Sequence, residues 1–417
     1  MFDRDNWQEI FATIKKNKLR TFLTCLGVFW GIFMLVVMLG SGNGLKAGIM
    51  NDFQGTATNS FFCWAQRTSK PYKGMKPGRR YNFNNSDYLA LLKVPELGTV
   101  APMNQLGDYQ GTSNVVRGLK TGGFSVNGCY PALGKIESIK VKHGRFLNDN
   151  DLKDRRKVVV IGKRAREILF EPKEEPIGQY IRVNGVYFCV IGVTTPTASG
   201  QRAEEQSSTI YVPFSTFQQA FNYGDVVGWF AITANDGVSA SDAEDKALGI
   251  LRDRHKIDPQ DLMAIGHWNM EKEFNKLNGL FSGINGLVWV VGIGTLLAGI
   301  IGVSNIMLIV VKERTKEIGI RRAIGAPPAE IVKQLILESV FLTAIAGYFG
   351  LVVSVGLLEL VASSLPADDT SMFRNPGIDI NVALTALTVL VVAGALAGLI
   401  PAKKAVAISP VEALRAE

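Results

Sequence analysis

Four long stretches without a single charged side chain decide what this sequence can fold into. They cover residues 21–45, with the run FLTCLGVFWGIFMLVVMLG, and residues 277–311, 339–358 and 380–402. A helix needs about 20 mainly apolar residues to cross the hydrocarbon layer of a bilayer. The pattern therefore predicts an α-helical membrane protein with four transmembrane helices, at 22–44, 280–311, 331–360 and 381–401. The alternative, buried helices of a large soluble core, requires hiding four such lengths at once. A cleaved signal peptide at the first run is the other alternative; its apolar stretch is too long for one and no small-residue cleavage site follows.

Orientation follows from lysine and arginine in the short flanks. Arg4, Lys15, Lys16, Lys18 and Arg20 precede the first run. Lys312, Arg314, Lys316, Arg321, Arg322 and Lys333 separate the second from the third, and Lys403, Lys404 and Arg415 follow the fourth. Between the third and fourth stands SSLPADDTSMFRNPGID, with one arginine and three aspartates. These counts predict a cytoplasmic segment at 1–21, a cytoplasmic helix within 312–330 and a cytoplasmic tail at 402–417. The large 45–276 segment and the short 361–380 loop face outward; the resemblance described below implies that this is the periplasmic side of an inner (plasma) membrane. The net charge of +8 is thus read through its location, with membrane lipid as the partner and not nucleic acid.

Small residues recur at four-residue spacing in these helices: Gly27 with Gly31, Ala346 with Gly350 and Ser354, Gly394 with Gly398. Such spacing lets helices approach closely in lipid. It predicts a packed bundle or a dimer.

The outward segment reads as a large α+β domain between the first and second spans, in one or two lobes. RKVVVIGKRAREILF (156–170) is a buried strand followed by a short helix. GQYIRVNGVYFCVIGVT (178–194) is a hairpin turning at Asn184-Gly185, the pair favoured in two-residue turns. Strands are predicted near 208–213 and 228–236, and an amphipathic helix over 239–255 opened by Ser/Asp capping residues. Residues 60–130 carry no assignable pattern. Cys63, Cys129 and Cys189 lie in this segment and Cys25 in the first span, with no CxxC spacing and no pairing that the sequence decides.

Catalytic signals are thin, and the three histidines read as surface or structural residues. His143, His255 and His267 form no metal-binding spacing, and no GxSxG elbow occurs. The 417 residues contain no G-x-x-x-x-G-K-[ST] phosphate loop; in VIGKRA (160–165) an arginine follows the Gly-Lys. No catalytic, cofactor or metal residue is assigned, and if the chain does energised work a partner supplies the energy; the resemblance described below implies that this partner binds ATP and magnesium.

Against this background one segment stands out: KERTKEIGIRRAIGAPPAEI (312–331), dense in mixed charge between two of the most apolar stretches. With its flanks, NIMLIVVKERTKEIGIRRAIGAPPAEIVKQLILES, it resembles the permease core of the FtsX-type, MacB-like ABC transporters. PAKKAVAISPVEALRAE resembles that family's ending, KHGRFLNDNDLKDRRKVVVIGKRA part of its periplasmic core domain, and NKLRTFLTCLGVFWGIFML its first span. Where many members carry a serine after Gly-Ala, this chain has Pro327-Pro328.

The resemblance implies a non-catalytic permease subunit whose ATP hydrolysis occurs in an ABC ATPase subunit. Only about twenty residues precede the first span, so that ATPase is expected as a separate polypeptide. It further implies a dimer with a second copy or a paralogue, a periplasmic adaptor and an outer-membrane channel in efflux members, and mechanotransmission from a cytoplasmic coupling helix. That coupling falls on Glu313, Arg314, Glu317, Ile318, Gly319, Arg321, Arg322, Ala323, Gly325 and Ala326. Physically, Glu313, Arg314, Lys316, Glu317 and Arg321 suit a solvent-facing side with Glu317 and Arg321 as an i,i+4 pair, while Ile318, Ile320 and Ile324 offer apolar contact. Gly325 suits a helix C-cap, and Pro327-Pro328 the start of the next helix. In the tail, Ser409, Pro410 and Glu412 form a capping box, read as a second contact or an interfacial anchor. Glu338, about a turn inside the third span, is read as structural. Lipoprotein release, control of cell division, and a membrane-anchored receptor remain the alternatives to efflux.

Overall fold

The computed structural model describes residues 18–51, 56–107, 113–198, 200–364 and 380–407. Most of the predicted N-terminal segment, most of the 361–380 loop, and Ser409, Pro410 and Glu412 lie outside them. The chain divides into two compact units, one built on the long apolar helices and one spanning residues 49–279.

The chain opens with α1 (Lys18–Asn51). The α/β unit follows with β1 (Ser60–Ala65), β2 (Phe83–Asn84), α2 (Asn85–Leu91), β3 (Leu97–Gln105), β4 (Ser113–Arg117), β5 (Lys120–Cys129), α3 (Leu133–Ile136) and β6 (Lys140–Gly144). It continues with α4 (Asp149–Lys153), β7 (Val158–Gly162), α5 (Lys163–Leu169), β8 (Tyr180–Val183), β9 (Val186–Thr195), α6 (Gly200–Ser207), β10 (Thr209–Pro213) and α7 (Phe214–Ala220). β11 (Val226–Val227), β12 (Trp229–Ala234), α8 (Ala240–Arg254) and β13 (Ile265–Asn269) complete it. The helical unit then takes α9 (Met270–Glu313), α10 (Thr315–Ala323), α11 (Pro328–Ser364) and α12 (Ile380–Ala407).

The α/β unit has two parts joined through β5. In the first, β10, β7, β9, β8, β4 and β5 pair in sequence, and β5 pairs back to β10, so six strands close into a barrel. Closure gives each of these six strands a partner on both sides, and β6 adds to β9 outside the ring. Phe124, Val159, Ile181, Phe188, Val212 and Phe217 fill the interior. The hairpin of β8 and β9 turns at Asn184 (φ 43°) and Gly185 (φ 90°), the two positive-φ positions that its right-handed twist demands.

In the second part the sheet runs on from β5 through β3, β12 and β1 to β13, every pair antiparallel. Alternation puts Phe61, Cys63, Phe230 and Ile232 on one face, and the Ala243, Ala247 and Leu251 side of α8 covers them. α8 forms because its apolar residues recur at helical spacing and Ser239 caps its first turn, accepting from the Ser241 amide at 3.1 Å. Cys63 and Cys129 are buried free thiols, and burial raises both. His143 is exposed on β6, whereas His255 bonds the buried Asp87 carboxylate at 2.7 Å.

Where β13 runs into α9, the joint is clasped to α8. Glu244, fully buried on α8, accepts from His267 Nδ1 (2.6 Å), Asn269 Nδ2 (2.9 Å) and Lys272 Nζ (2.7 Å). In return Glu271, in the first turn of α9, accepts from Ser239 Oγ (3.0 Å) and the Ser241 amide (3.2 Å).

All four long helices exceed the predicted spans, α9 by the most, because residues 270–279 and 312–313 beyond the apolar run contain good helix formers and no proline. They are long and apolar enough to cross a membrane. Val36, Leu296, Val303, Leu335, Leu390 and Ala397 share one core, while Val290, Leu297, Ile301, Leu360 and Ile400 point outward. Helices apolar on both sides are what a bilayer solvates. In α9, a Cβ on Gly279, Gly283 or Gly286 would meet nothing within 4 Å.

Candidate functional site: the charged elbow

Three breaks in the helical pattern build the elbow. α9 stops at Glu313, where Thr315 Oγ1 bonds the Val311 carbonyl (3.1 Å) and the Lys312 carbonyl (2.8 Å), and Arg314 leaves helical geometry at ψ 14°. α10 then runs nine residues and ends in a Schellman turn. The Ala326 amide donates to the Arg321 carbonyl (3.0 Å) and the Gly325 amide to the Arg322 carbonyl (3.1 Å). Gly325 sits at φ 103°, a conformation that a side chain disfavours. Pro328 takes the first position of α11, where no amide is needed.

Polar tethers fix α10 to both following helices. Arg314 bonds Glu317 on α10 (Nε to Oε2, 3.0 Å) and reaches Glu338 on α11 (3.8 Å). Arg321 pairs with Glu317 (2.8 Å) and donates to Gln334 Oε1 on α11 (3.1 Å). Arg322 donates to the Val406 carbonyl in the last turn of α12 (2.7 Å), where helix carbonyls lack internal partners and a cation is favoured. Glu338 is buried, and Arg314 is a cation that helps to compensate it.

This geometry corrects part of the solvent-facing assignment. Arg314 is turned inward, its side chain 19% exposed, because the Glu338 carboxylate draws it. Ile318 is no surface contact: it joins Val311, Ile331 and Leu335 in the bundle core, and Gly319 is buried beside it. Arg322 is half-buried against α12. Outward stand Glu313, Lys316, Ile320, Arg321, Ala323 and Ile324, with Gly325 at the turn and Ala326 half-buried. Ile324 is 83% exposed and Ile320, one turn before it, 43%, two apolar side chains among charges. Gln334 and the Val406 carbonyl are tethers that sequence reasoning missed. A lone amide on a helix and a backbone oxygen carry no sequence signal.

The small-residue positions mark close approaches. Gly27 faces Gly299 Cα and Gly31 the backbone of Leu296 on α9; Gly350 faces the Phe29 carbonyl on α1. Gly394 and Gly398 of α12 pack against α11, where a Cβ at Gly398 would stand 3.1 Å from Ile336 Cα. Ser339 Oγ donates to the Gly394 carbonyl across that interface (2.7 Å). Gly398→Leu is therefore expected to overpack the α11–α12 contact and destabilise the bundle by about 2 kcal/mol. Thermal unfolding in detergent checks this; an unchanged melting temperature would place the helices further apart. Among the described residues no group of His, Cys, Asp and Glu has a metal-binding arrangement.

Long apolar helices, a charged elbow between two of them and one α/β domain inserted after the first define a permease-type membrane protein. The family model for the MacB-like periplasmic core domain matches residues 21–249, and that for the FtsX-like permease C-terminal region matches 289–410. The chain belongs to the MacB-like, FtsX-type ABC transporter permease family. It is 30% identical over 402 residues, 96% of its length, to the pyoverdine export ATP-binding/permease protein PvdT of Pseudomonas putida, covering 58% of that protein. It is 29% identical over 98% of its length to the macrolide export ATP-binding/permease protein MacB of Chlorobaculum tepidum, covering 61% of that protein. The chain thus spans about three fifths of the length of these relatives. The crystal structure of the periplasmic region of MacB from Actinobacillus actinomycetemcomitans superimposes with a TM-score of 0.43 at 22% identity, over 54% of this chain and 94% of that one.

Proposed function

We propose that this chain is the transmembrane part of an exporter driven by an ABC ATPase lying outside these 417 residues, with ATP and magnesium bound there. α1, α9, α11 and α12 cross the inner membrane, the elbow is cytoplasmic, and the α/β unit is periplasmic. The chain works as a dimer, and ATP-driven closure of two ATPase units displaces α10. In the efflux reading an adaptor and an outer-membrane channel receive the cargo. The observation that carries this reading is the tethering of α10. Arg314 and Arg321 tie it to α11 and Arg322 to α12, so a push on its outward face is delivered to two apolar helices together. A solvated basic loop would need none of these bonds.

The test exchanges charges without removing them. Glu317→Lys with Arg321→Glu keeps an i,i+4 pair but gives up the Arg314–Glu317 and Arg321–Gln334 bonds, and costs the fold about 1 kcal/mol. The double variant is expected to lose at least about tenfold in transport-coupled ATP hydrolysis, a loss of roughly 1.4 kcal/mol at the contact, while still melting as a folded protein only a few degrees below the parent. Undiminished coupling would remove α10 from the pathway. So would labelling of a cysteine at position 320 by a membrane-impermeant thiol reagent applied from outside the cell.

A further inference from the structure

The α/β unit carries a built cationic arm that the coupling scheme does not use. Residues 66–80, QRTSKPYKGMKPGRR, join β1 to β2 and hold six basic side chains and no acid, against a net charge of +8 for the whole chain. The arm has a fixed shape. Tyr72 and Met75 exchange backbone hydrogen bonds (3.2 and 2.9 Å) around Lys73 (φ 44°) and Gly74 (φ 81°), a tight hairpin tip, and Pro71 and Pro77 stiffen its approaches. At its base the buried Asp261 carboxylate accepts from the Ser69 amide (2.6 Å), Ser69 Oγ (2.6 Å) and the Lys70 amide (3.0 Å), and the Gly78 amide donates to the Thr68 carbonyl (2.6 Å).

Most of the charge on this frame is open to solvent, with Lys73 Nζ lying over the Tyr72 ring at 5.1 Å. Arg79 folds inward, donating to the His255 carbonyl (2.5 Å). Arg67, Lys70, Lys73, Lys76 and Arg80 are exposed, and none makes an ion pair among the described residues. Beside the base, directly after Asp261, Leu262 is 73% and Met263 65% exposed. Cations beside exposed leucine and methionine are complementary to a protein surface that sets acids around apolar side chains. The position of these residues argues the same way. The arm leaves from Ala65 and the Leu262–Met263 segment enters at Ile265, partners in the β1–β13 ladder. The chain arrives from α1 and departs into α9 at the opposite end of those strands, at Ser60 and Asn269.

We propose that the 66–80 arm and the adjoining Leu262–Met263 step form a docking surface for an acidic protein patch bearing apolar side chains. That the partner is extracytoplasmic rests on the topology proposed above; the binding itself does not, and its assay needs no nucleotide. The full chain in phosphatidylcholine nanodiscs is titrated with poly-L-glutamate, with a random Glu/Tyr copolymer, and with phosphatidylglycerol vesicles. The copolymer is expected to bind tighter than polyglutamate, with affinity falling steeply as salt rises. Lys70→Glu/Lys73→Glu/Lys76→Glu is expected to weaken both by at least about tenfold. Lys135→Glu/Lys140→Glu/Lys142→Glu, exposed charges elsewhere on the unit, leaves them within about twofold. Leu262→Ser/Met263→Ser removes the copolymer's advantage. Asp261→Ala keeps every cation but frees the arm, and is expected to weaken binding about fivefold. Equal loss in both lysine triples, or no copolymer advantage, overturns the proposal. So does Asp261→Ala binding like the parent, or arm-dependent capture of the vesicles in preference to the polypeptides, which would make the arm a lipid contact.

Discussion

Ile324→Asp is expected to reduce ATP-driven transport by about thirtyfold while leaving the fold intact. The side chain is 83% exposed just past the last turn of α10, so no core contact is lost and the melting temperature should hold within about a degree. An exposed isoleucine in a setting of charges contributes little to an isolated chain, but as the apolar anchor of a docked surface it reaches the roughly 2 kcal/mol of a hot spot. Burying a carboxylate in its place adds a desolvation penalty at the same point. The discriminating measurement pairs ATPase affinity for the membrane-embedded chain with transport: both fall together if Ile324 is a docking anchor. Transport loss with unchanged affinity would instead place the defect after docking, and no loss of either would remove the outward face of α10 from the interface. Ile318→Asp makes the contrast. Buried in the bundle core, it should unfold the helical unit and not merely uncouple it.

The second large effect is at the other end of α9. Glu244→Ala removes the carboxylate on which His267, Asn269 and Lys272 converge. Breaking a buried ionic cluster by deleting one partner costs about 3 kcal/mol, the low end of the usual range because Lys272 can turn to water. The variant should melt several degrees earlier and lose ATP-driven transport out of proportion to ATP hydrolysis, since α8 no longer holds the start of α9. Normal transport would make the clasp a purely local device. Burial works to raise the Glu244 carboxyl, but the bonds from Lys272 and Asn269 and the His267 charge outweigh it and hold it below its ordinary 4.5. A group depressed in the folded state stabilises above its unfolded value, and that stabilisation is lost as pH falls through the folded value. The parent should therefore lose stability on acidification below about pH 4.5 more steeply than Glu244→Ala.

The parts of this architecture that the sequence disclosed are those with a local cause. Charge-free length announces a membrane helix without reference to any neighbour, and Asn184-Gly185 announces its hairpin because two positive φ angles are needed there. Gly325 was legible for the same reason. The 60–130 region was not. β3 and β5 lie inside the sheet, buried by partners far along the chain, and residues such as Pro102, Gly122, Gly123 and Asn127 within them contradict strand propensity locally. Only the pairing of β5 with β10, distant in sequence, makes the barrel, and no window of residues records it. In the elbow, charge content was legible but direction was not: Arg314 looked like a surface residue until Glu338, 24 positions away, was seen to face it. Helical periodicity says which residues share a face, and the identity of the opposing residue decides whether that face is dry.

α9 has a further consequence as a mechanical part. Its 44 residues amount to about 66 Å of continuous helix, more than twice the thickness of a hydrocarbon layer. Gly279, Gly283, Gly286, Gly294 and Gly302, where an added Cβ would meet no neighbour, each lower the local helix preference by about 1 kcal/mol relative to alanine. The rod is therefore graded in compliance, gripped where Phe281, Val288, Leu296 and Val303 are buried and more easily bent at the open glycines among them.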